Sequence, residues 1–359
     1  MRSKASLRKG KLVATVLSGA WRSSPFPPLN VSETELDEIT PLLCASGGAA
    51  LAWRRISNTH LRETASAEVL HQAYRLQTLQ SSLHEQHIEK VFRLLREASV
   101  NAVLAKGWAA AGYYPNRDLR PSGDIDICVR PADFQLAQEV LSRPEANDCW
   151  VDLHKSFGEI DDRTIDDIFA RSQVIILGQE HIRILSSEDH LALLCIHLLK
   201  HGAWRPLWLC DIAAAVESLP ETFDWQIFLG DVRRRADWIT CAVGLAHRLL
   251  GAQIEHLPLK PELTEVPDWL VQGVLEHWSS LFPADHLPMR AAPLMAHNIR
   301  TGRNILKGII ERWPDPITAT FNLKGRFNNF PRLPYQFANF VLTFARYLIN
   351  LPTKLQLQR

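Results

Sequence analysis

The 359-residue sequence predicts an α+β fold in which a compact mixed block of strands and helices stands between two helical regions. Two observations carry this. From Glu63 to about Ser99 there is no glycine or proline, and Val69, Ala73, Leu76, Leu83, Ile88, Val91 and Leu95 recur at helical spacing, as one long helix or a helix pair would require. After that stretch the texture changes to short apolar runs broken by turn signals, and helical periodicity returns only beyond Ser186. The divisions that follow are 1–98 for an N-terminal helical region, 99–186 for the mixed core and 187–359 for a C-terminal helical region.

Each element has a local reason. Ser32-x-x-Glu35 is a capping box, with Leu36, Ile39, Leu42 and Leu43 following at helical spacing. Residues 101–105 form a short apolar strand stopped by Lys106-Gly107, and an Ala-rich helical turn at 108–111 leads into a polar loop that ends at Pro121. Ile125, Ile127 and Val129 alternate with Asp124, Asp126 and Cys128, the pattern of a half-buried strand. Pro131 opens a helix that carries Phe134, Leu136, Ala137, Val140 and Leu141. Residues 150–157 alternate again, and 174–177 with 181–185 flank Gly178-Gln179-Glu180 as a hairpin. Ser186-x-x-Asp189 caps a helix whose apolar run, 191–199, reads as buried, and another helix spans about 206–217. Near the C-terminus, Phe337, Phe340, Val341, Phe344, Tyr347, Leu348 and Leu351, with Arg346 and Lys354, predict an amphipathic helix. It is expected to dock on the body rather than lie on an anionic membrane.

Composition removes several classes. With 46% hydrophobic and 22% charged residues the chain is neither disordered nor collagen-like, and it is not a disulfide-dense mini-domain. No apolar run approaches the roughly 18 residues of a membrane span. The net charge of +1 is unevenly spread: residues 1–30 hold six Lys/Arg and no acid, residues 300–359 hold ten against two acids, and the middle is left at −13. Such basic ends suit an anionic partner or are simply solvated. The aromatic and basic residues at 326–332 form no nucleic-acid motif. Six cysteines show neither a C-x-x-C pair nor zinc spacing. The basic N-terminus precedes an apolar stretch too short and diluted for a signal peptide. A cytoplasmic protein is expected.

The sharpest feature is Arg120-Pro-Ser-Gly123-Asp124-Ile-Asp126-Ile-Cys-Val129. Carboxylates two apart on a strand project together, and a Mg²⁺ between them would relieve their repulsion with the oxygen ligands it prefers. Gly123 permits close backbone approach. Asp152, on the following strand, could share the metal or deprotonate an attacking hydroxyl. The N–H groups and ammonium of Lys106-Gly107 could hold a triphosphate. Arg120 would serve as phosphate clamp or as structural counter-ion. His197, Lys200 and His201 share a helix face, and either bind nucleotide or acceptor or are ordinary core and surface residues. Asp211 reads as structural.

These residues carry a resemblance. Leu104-Ala-Lys106-Gly107, Tyr113-Tyr-Pro115, the Arg120–Val129 segment, Val151-Asp-Leu-His154, Leu185-Ser-Ser-Glu-Asp189, His197-Leu-Leu-Lys200-His201 and Trp208-Leu-Cys-Asp211-Ile212 resemble the uncharacterised nucleotidyltransferase family of bacteria, over roughly residues 30–225. The resemblance implies the polymerase-β-like nucleotidyltransferase fold. It also implies Mg²⁺-dependent transfer of a nucleoside monophosphate from an NTP to an acceptor hydroxyl, with two Mg²⁺ ions during turnover. Asp124 and Asp126 would bind metal, Asp152 would be third ligand or base, and Lys106, Gly107, Arg120, Gly123 and Lys200 would contact the nucleotide. The better-known members of the superfamily carry glycine-serine where Lys106-Gly107 stands, so the serine's phosphate contact is either supplied by Lys106 or absent. The acceptor is open among small molecules, sugar phosphates, peptides and RNA, and the resemblance suggests one from a biosynthetic pathway. A catalytically idle nucleotide-binding scaffold and a toxin-type enzyme acting on tRNA or protein are the alternatives.

Overall fold

The computed structural model describes residues 4–23, 25–255, 257–259, 265–281 and 313–356, with side chains up to 346. Helices come first: α1 (Lys4–Leu17), α2 (Glu33–Ser46), α3 (Ala49–Ile56) and α4 (Ala65–Glu97). The Ser32 capping box is complete, its hydroxyl accepting from the Glu35 N–H while the Glu35 carboxylate accepts from the Ser32 N–H. Residues 65–97 make one helix rather than a pair. Thr64 caps its start, and its second half buries Ile88, Val91, Phe92 and Leu95.

The mixed block contains β1 (Ala102–Ala105), α5 (Gly107–Ala110), β2 (Ile125–Val129), α6 (Phe134–Leu141), β3 (Val151–His154), α7 (Ile165–Arg171), β4 (Gln173–Leu177) and β5 (Glu180–Ile184). The strands form one sheet in the order β3-β2-β1-β5-β4, antiparallel at β1/β2 and β4/β5 and parallel at β2/β3 and β1/β5. Alternation divides its two faces. Ala102, Leu104, Ile125, Ile127, Val129 and Ile182 pack with α4 and α6, whereas Val103, Ala105 and Cys128 join the larger helical core.

That larger core draws on α8 (Ser187–Lys200), α9 (Pro206–Val216), α10 (Trp225–Leu229), α11 (Arg233–Leu250), α12 (Asp268–His277) and α13 (Pro316–Asn322). Ser186 caps α8 as its sequence pattern predicts, accepting from the Asp189 N–H. The last helix is α14 (Leu333–Gln356).

Three expectations are corrected. Residues 131–133 are a turn, closed by the Asp133 N–H on the Arg130 carbonyl at 2.9 Å, so the helix opens at Phe134 and not at Pro131. The strand expected over 150–157 is confined to Val151–His154, with Trp150 80% exposed ahead of it. The C-terminal helix exists, but among its described residues Phe337, Val341 and Phe344 are exposed rather than docked on the body, while near its start Gln336 donates to the Pro314 carbonyl. Phe340 stacks on Trp313, and side chains beyond 346 lie outside the described residues. Among the described residues no helix is long and apolar enough to cross a membrane. All six thiols are free.

Candidate functional site

Strand register assembles the site. Asp126 of β2 stands beside Ala105 of β1 on one side and Asp152 of β3 on the other. Paired residues of parallel strands project to one face, as do residues two apart on a strand, so Asp126, Asp152 and His154 converge. Lys106 follows directly on β1. Its φ of +52° ends the strand in the left-handed region, and its ammonium returns to Asp126, with Nζ 2.8 Å from Oδ1. Gly107 continues that turn at φ +23°, and a Cβ there would stand 3.4 Å from Ser122 Oγ, close against the loop that enters β2.

Asp126 is 5% exposed. Besides Lys106, its Oδ1 lies 3.3 Å from His154 Nε2, which is 3.2 Å from Asp152 Oδ2. Asp152 is the outward member, with its side chain 56% exposed. Burial alone would raise the Asp126 carboxyl, but His154 and the Lys106 ammonium outweigh it and hold the group below its ordinary value. Burial likewise works against the Lys106 ammonium, and Asp126 reverses that to hold it above its ordinary value.

A pH prediction follows. The ordinary values are 3.8 for the carboxyl and 10.5 for the ammonium. A carboxyl held low contributes stability that is present above its unfolded value and lost as pH falls through the folded one. An ammonium held high contributes below its unfolded value and loses that contribution as pH rises through the folded one. The difference in urea midpoint between wild type and Lys106→Met is therefore expected to be constant from roughly pH 5 to 9 and to shrink below about pH 4. A difference that changes near neutrality would contradict the pairing.

The structure brings Lys106, Asp126 and Asp152 together and places the other candidates around them. Asp124 lies at a bend before β2, exposed and outside the trio. Pairing begins only where the Ile125 N–H donates to the Trp150 carbonyl at 2.8 Å, so Asp124 never takes a strand position. Its charge is felt by His84 and Arg205. A Cβ on Gly123 would meet nothing within 4 Å, so open space and not internal packing surrounds that residue. Arg120 is spent on Asp211: Nη2 is 2.8 Å from Oδ2 and Nε is 3.2 Å from Oδ1, while Nη1 donates to the Pro121 carbonyl at 2.8 Å. Its charge is still felt by Asp126. Lys200 reaches a different carboxylate, Glu159 Oε1 at 2.9 Å, which also lies 3.5 Å from His197 Nδ1.

Glu159 is the residue that sequence reasoning missed. It sits in a single helical turn, Gly158–Ile160, where neither periodicity nor a motif marks it. Burial would raise its carboxyl, but His197, Lys106 and Lys200 hold it far below the usual carboxylate range. The visible signal was on its partners, the i, i+3, i+4 spacing of His197, Lys200 and His201.

The arrangement offers two adjacent carboxylates, one buried and one exposed, with an ammonium on the same wall. Residues 32–147 and 143–251 both match the family model described as uncharacterised nucleotidyltransferase, which together takes in the whole sheet and the helices from α2 to α11. No curated protein and no solved structure matches the chain.

Proposed function

The chain belongs to the uncharacterised nucleotidyltransferase family, and on that premise we propose that it moves a nucleoside monophosphate from an NTP to an acceptor hydroxyl, with Mg²⁺ held at Asp126 and Asp152. The observation that carries this reading is the β2/β3 register, which sets the two carboxylates side by side next to Lys106.

The donor set suits a hard ion. Mg²⁺ is commonly held by one or two carboxylates, with water and substrate phosphate oxygens filling its other positions. When bound, Mg²⁺ would offset the triphosphate's charge and favour loss of pyrophosphate. The chain's own residues divide the remaining work. Lys106, fixed by its left-handed turn, offers an ammonium to phosphate oxygens on the face where Asp126 lies. Asp152, more exposed, is placed to take the acceptor's proton as its oxygen attacks the α-phosphorus and the bond to pyrophosphate breaks. His154, within 3.3 Å of Asp126 and 3.2 Å of Asp152, ties the two carboxylates to each other. Arg120 supports the loop into β2 rather than touching phosphate, and Gly123 leaves room for nucleotide approach. Small-molecule, sugar and peptide acceptors are all compatible with the reading.

Calorimetric titration with each NTP, with and without Mg²⁺, tests it. Binding of at least one NTP that disappears when Mg²⁺ is chelated is expected. Failure of every NTP to bind in the presence of Mg²⁺ would overturn the reading in favour of an idle scaffold.

A further inference from the structure

A second group of chemistry-bearing side chains lies outside the carboxylate pair. Glu159 comes from the turn after β3, and His197 and His201 stand one helical turn apart at the end of α8. One ligand atom from each lies within 4.8 Å of the others. His197 Nδ1 is fully buried, and the acceptor it faces, Glu159 Oε1, stands 3.5 Å away, too far for a well-formed hydrogen bond. That separation is at the outer limit for a hydrogen bond. It matches the edge between two ligands of a tetrahedral ion, which bonds of about 2.0–2.2 Å place at roughly 3.4 Å. The rings are held for such a role: Trp208 packs edge-on to His197 with centroids 4.7 Å apart, and the two imidazoles lie 4.5 Å apart.

We infer that Glu159, His197 and His201 form a metal centre for a borderline divalent transition ion of the Zn²⁺ class, separate from the carboxylate pair at Asp126 and Asp152. Two imidazoles and one carboxylate leave a fourth position for water or a substrate atom. Two nitrogens suit Zn²⁺ far better than Mg²⁺. The charges facing the centre are Lys200 on Glu159, Lys106 within electrostatic reach and Asp126 beyond it. Lys200 is the competitor. Its side chain is 43% exposed, so the ammonium can give up Glu159 for water when an ion arrives. An ion here would pin the segment following β3 to α8 and add positive charge beside Lys106.

Cobalt provides the test, because four-coordinate Co²⁺ with imidazole ligands absorbs strongly in the visible. Full-length protein stripped with chelator is titrated with Co²⁺ in excess Mg²⁺, which fills oxygen-rich sites. One equivalent of Co²⁺ is expected to produce the four-coordinate band, which Zn²⁺ abolishes and further Mg²⁺ does not. The band is expected to persist in Asp126→Asn and to vanish in the Glu159→Gln/His201→Gln double variant, with circular dichroism confirming the fold of each. If the double variant does not fold, His201→Gln alone, at the less buried ring, is expected to weaken Co²⁺ binding at least tenfold. Absence of the band, or a band lost in Asp126→Asn and kept in the Glu159 and His201 variants, would overturn the assignment. Neither result depends on nucleotide binding, so the centre and the transfer reaction stand or fall separately.

Discussion

Replacing Asp126 with asparagine is expected to lower the rate of nucleotidyl transfer on the order of 10³-fold, the rate equivalent of the several kcal/mol that charge stabilisation at a metal-held triphosphate supplies. Its position makes Asp126 decisive. Asp126 is the buried carboxylate of the trio, it has a strand neighbour on either side, and it already sustains a full ammonium at 2.8 Å. Asparagine keeps the shape and loses the charge. The chain is expected to stay folded, because Lys106 still lies within electrostatic reach of Glu159 and Asp152. Asp124→Asn provides the contrast. That residue is exposed, precedes the strand and lies outside the trio, so its loss is expected to cost far less. A single-turnover assay with α-labelled NTP, read beside a thermal melt, measures both. An Asp126→Asn rate within about tenfold of wild type would remove Asp126 from the chemistry.

The largest stability effect is expected at Arg120. The guanidinium is 6% exposed, its partner Asp211 is wholly buried, and the Tyr114 hydroxyl donates to the same carboxylate at 2.8 Å. Burial works against the Arg120 charge, and Asp211 more than compensates. Arg120→Ala strands the Asp211 carboxylate in the core and is expected to cost about 3–5 kcal/mol, whereas Arg120→Met with Asp211→Leu, which removes both charges for apolar bulk, is expected to recover most of that. Urea unfolding of the three proteins measures it. A loss below about 1 kcal/mol in Arg120→Ala would mean that water or another cation reaches Asp211. The pair joins the loop entering β2 to α9, so the weakened variant is also expected to show a slacker approach to the carboxylates.

The comparison of sequence with structure divides along the range of each interaction. Features written within a few residues of themselves were legible: the Ser32 and Ser186 caps, the hairpin of β4 and β5, and the alternation that gives β2. What escaped was set by contacts distant in sequence. Nothing near Arg120 announces that Asp211, 91 positions later, takes its charge. Glu159 acquires its meaning only when α8 packs against the turn that carries it. Asp124 shows the limit of a local rule: alternation puts it on the face of Asp126, but the ladder starts one residue too late to hold it there. The C-terminal helix was likewise readable as a helix, while what its apolar side chains would meet was not.

The sheet order has a consequence for how lasting the carboxylate arrangement is. β2 lies inside the sheet with every residue buried, whereas β3 is an outer strand with none of its residues buried. Free energies of local opening differ accordingly, since outer strands with solvent-exposed backbone bonds fray at a small fraction of the global unfolding cost. One carboxylate is thus as permanent as the fold, and the other is as permanent as a strand edge. The constellation is expected to come apart by the peeling of four residues before the protein unfolds, and a ligand that spans both carboxylates is expected to hold that edge shut.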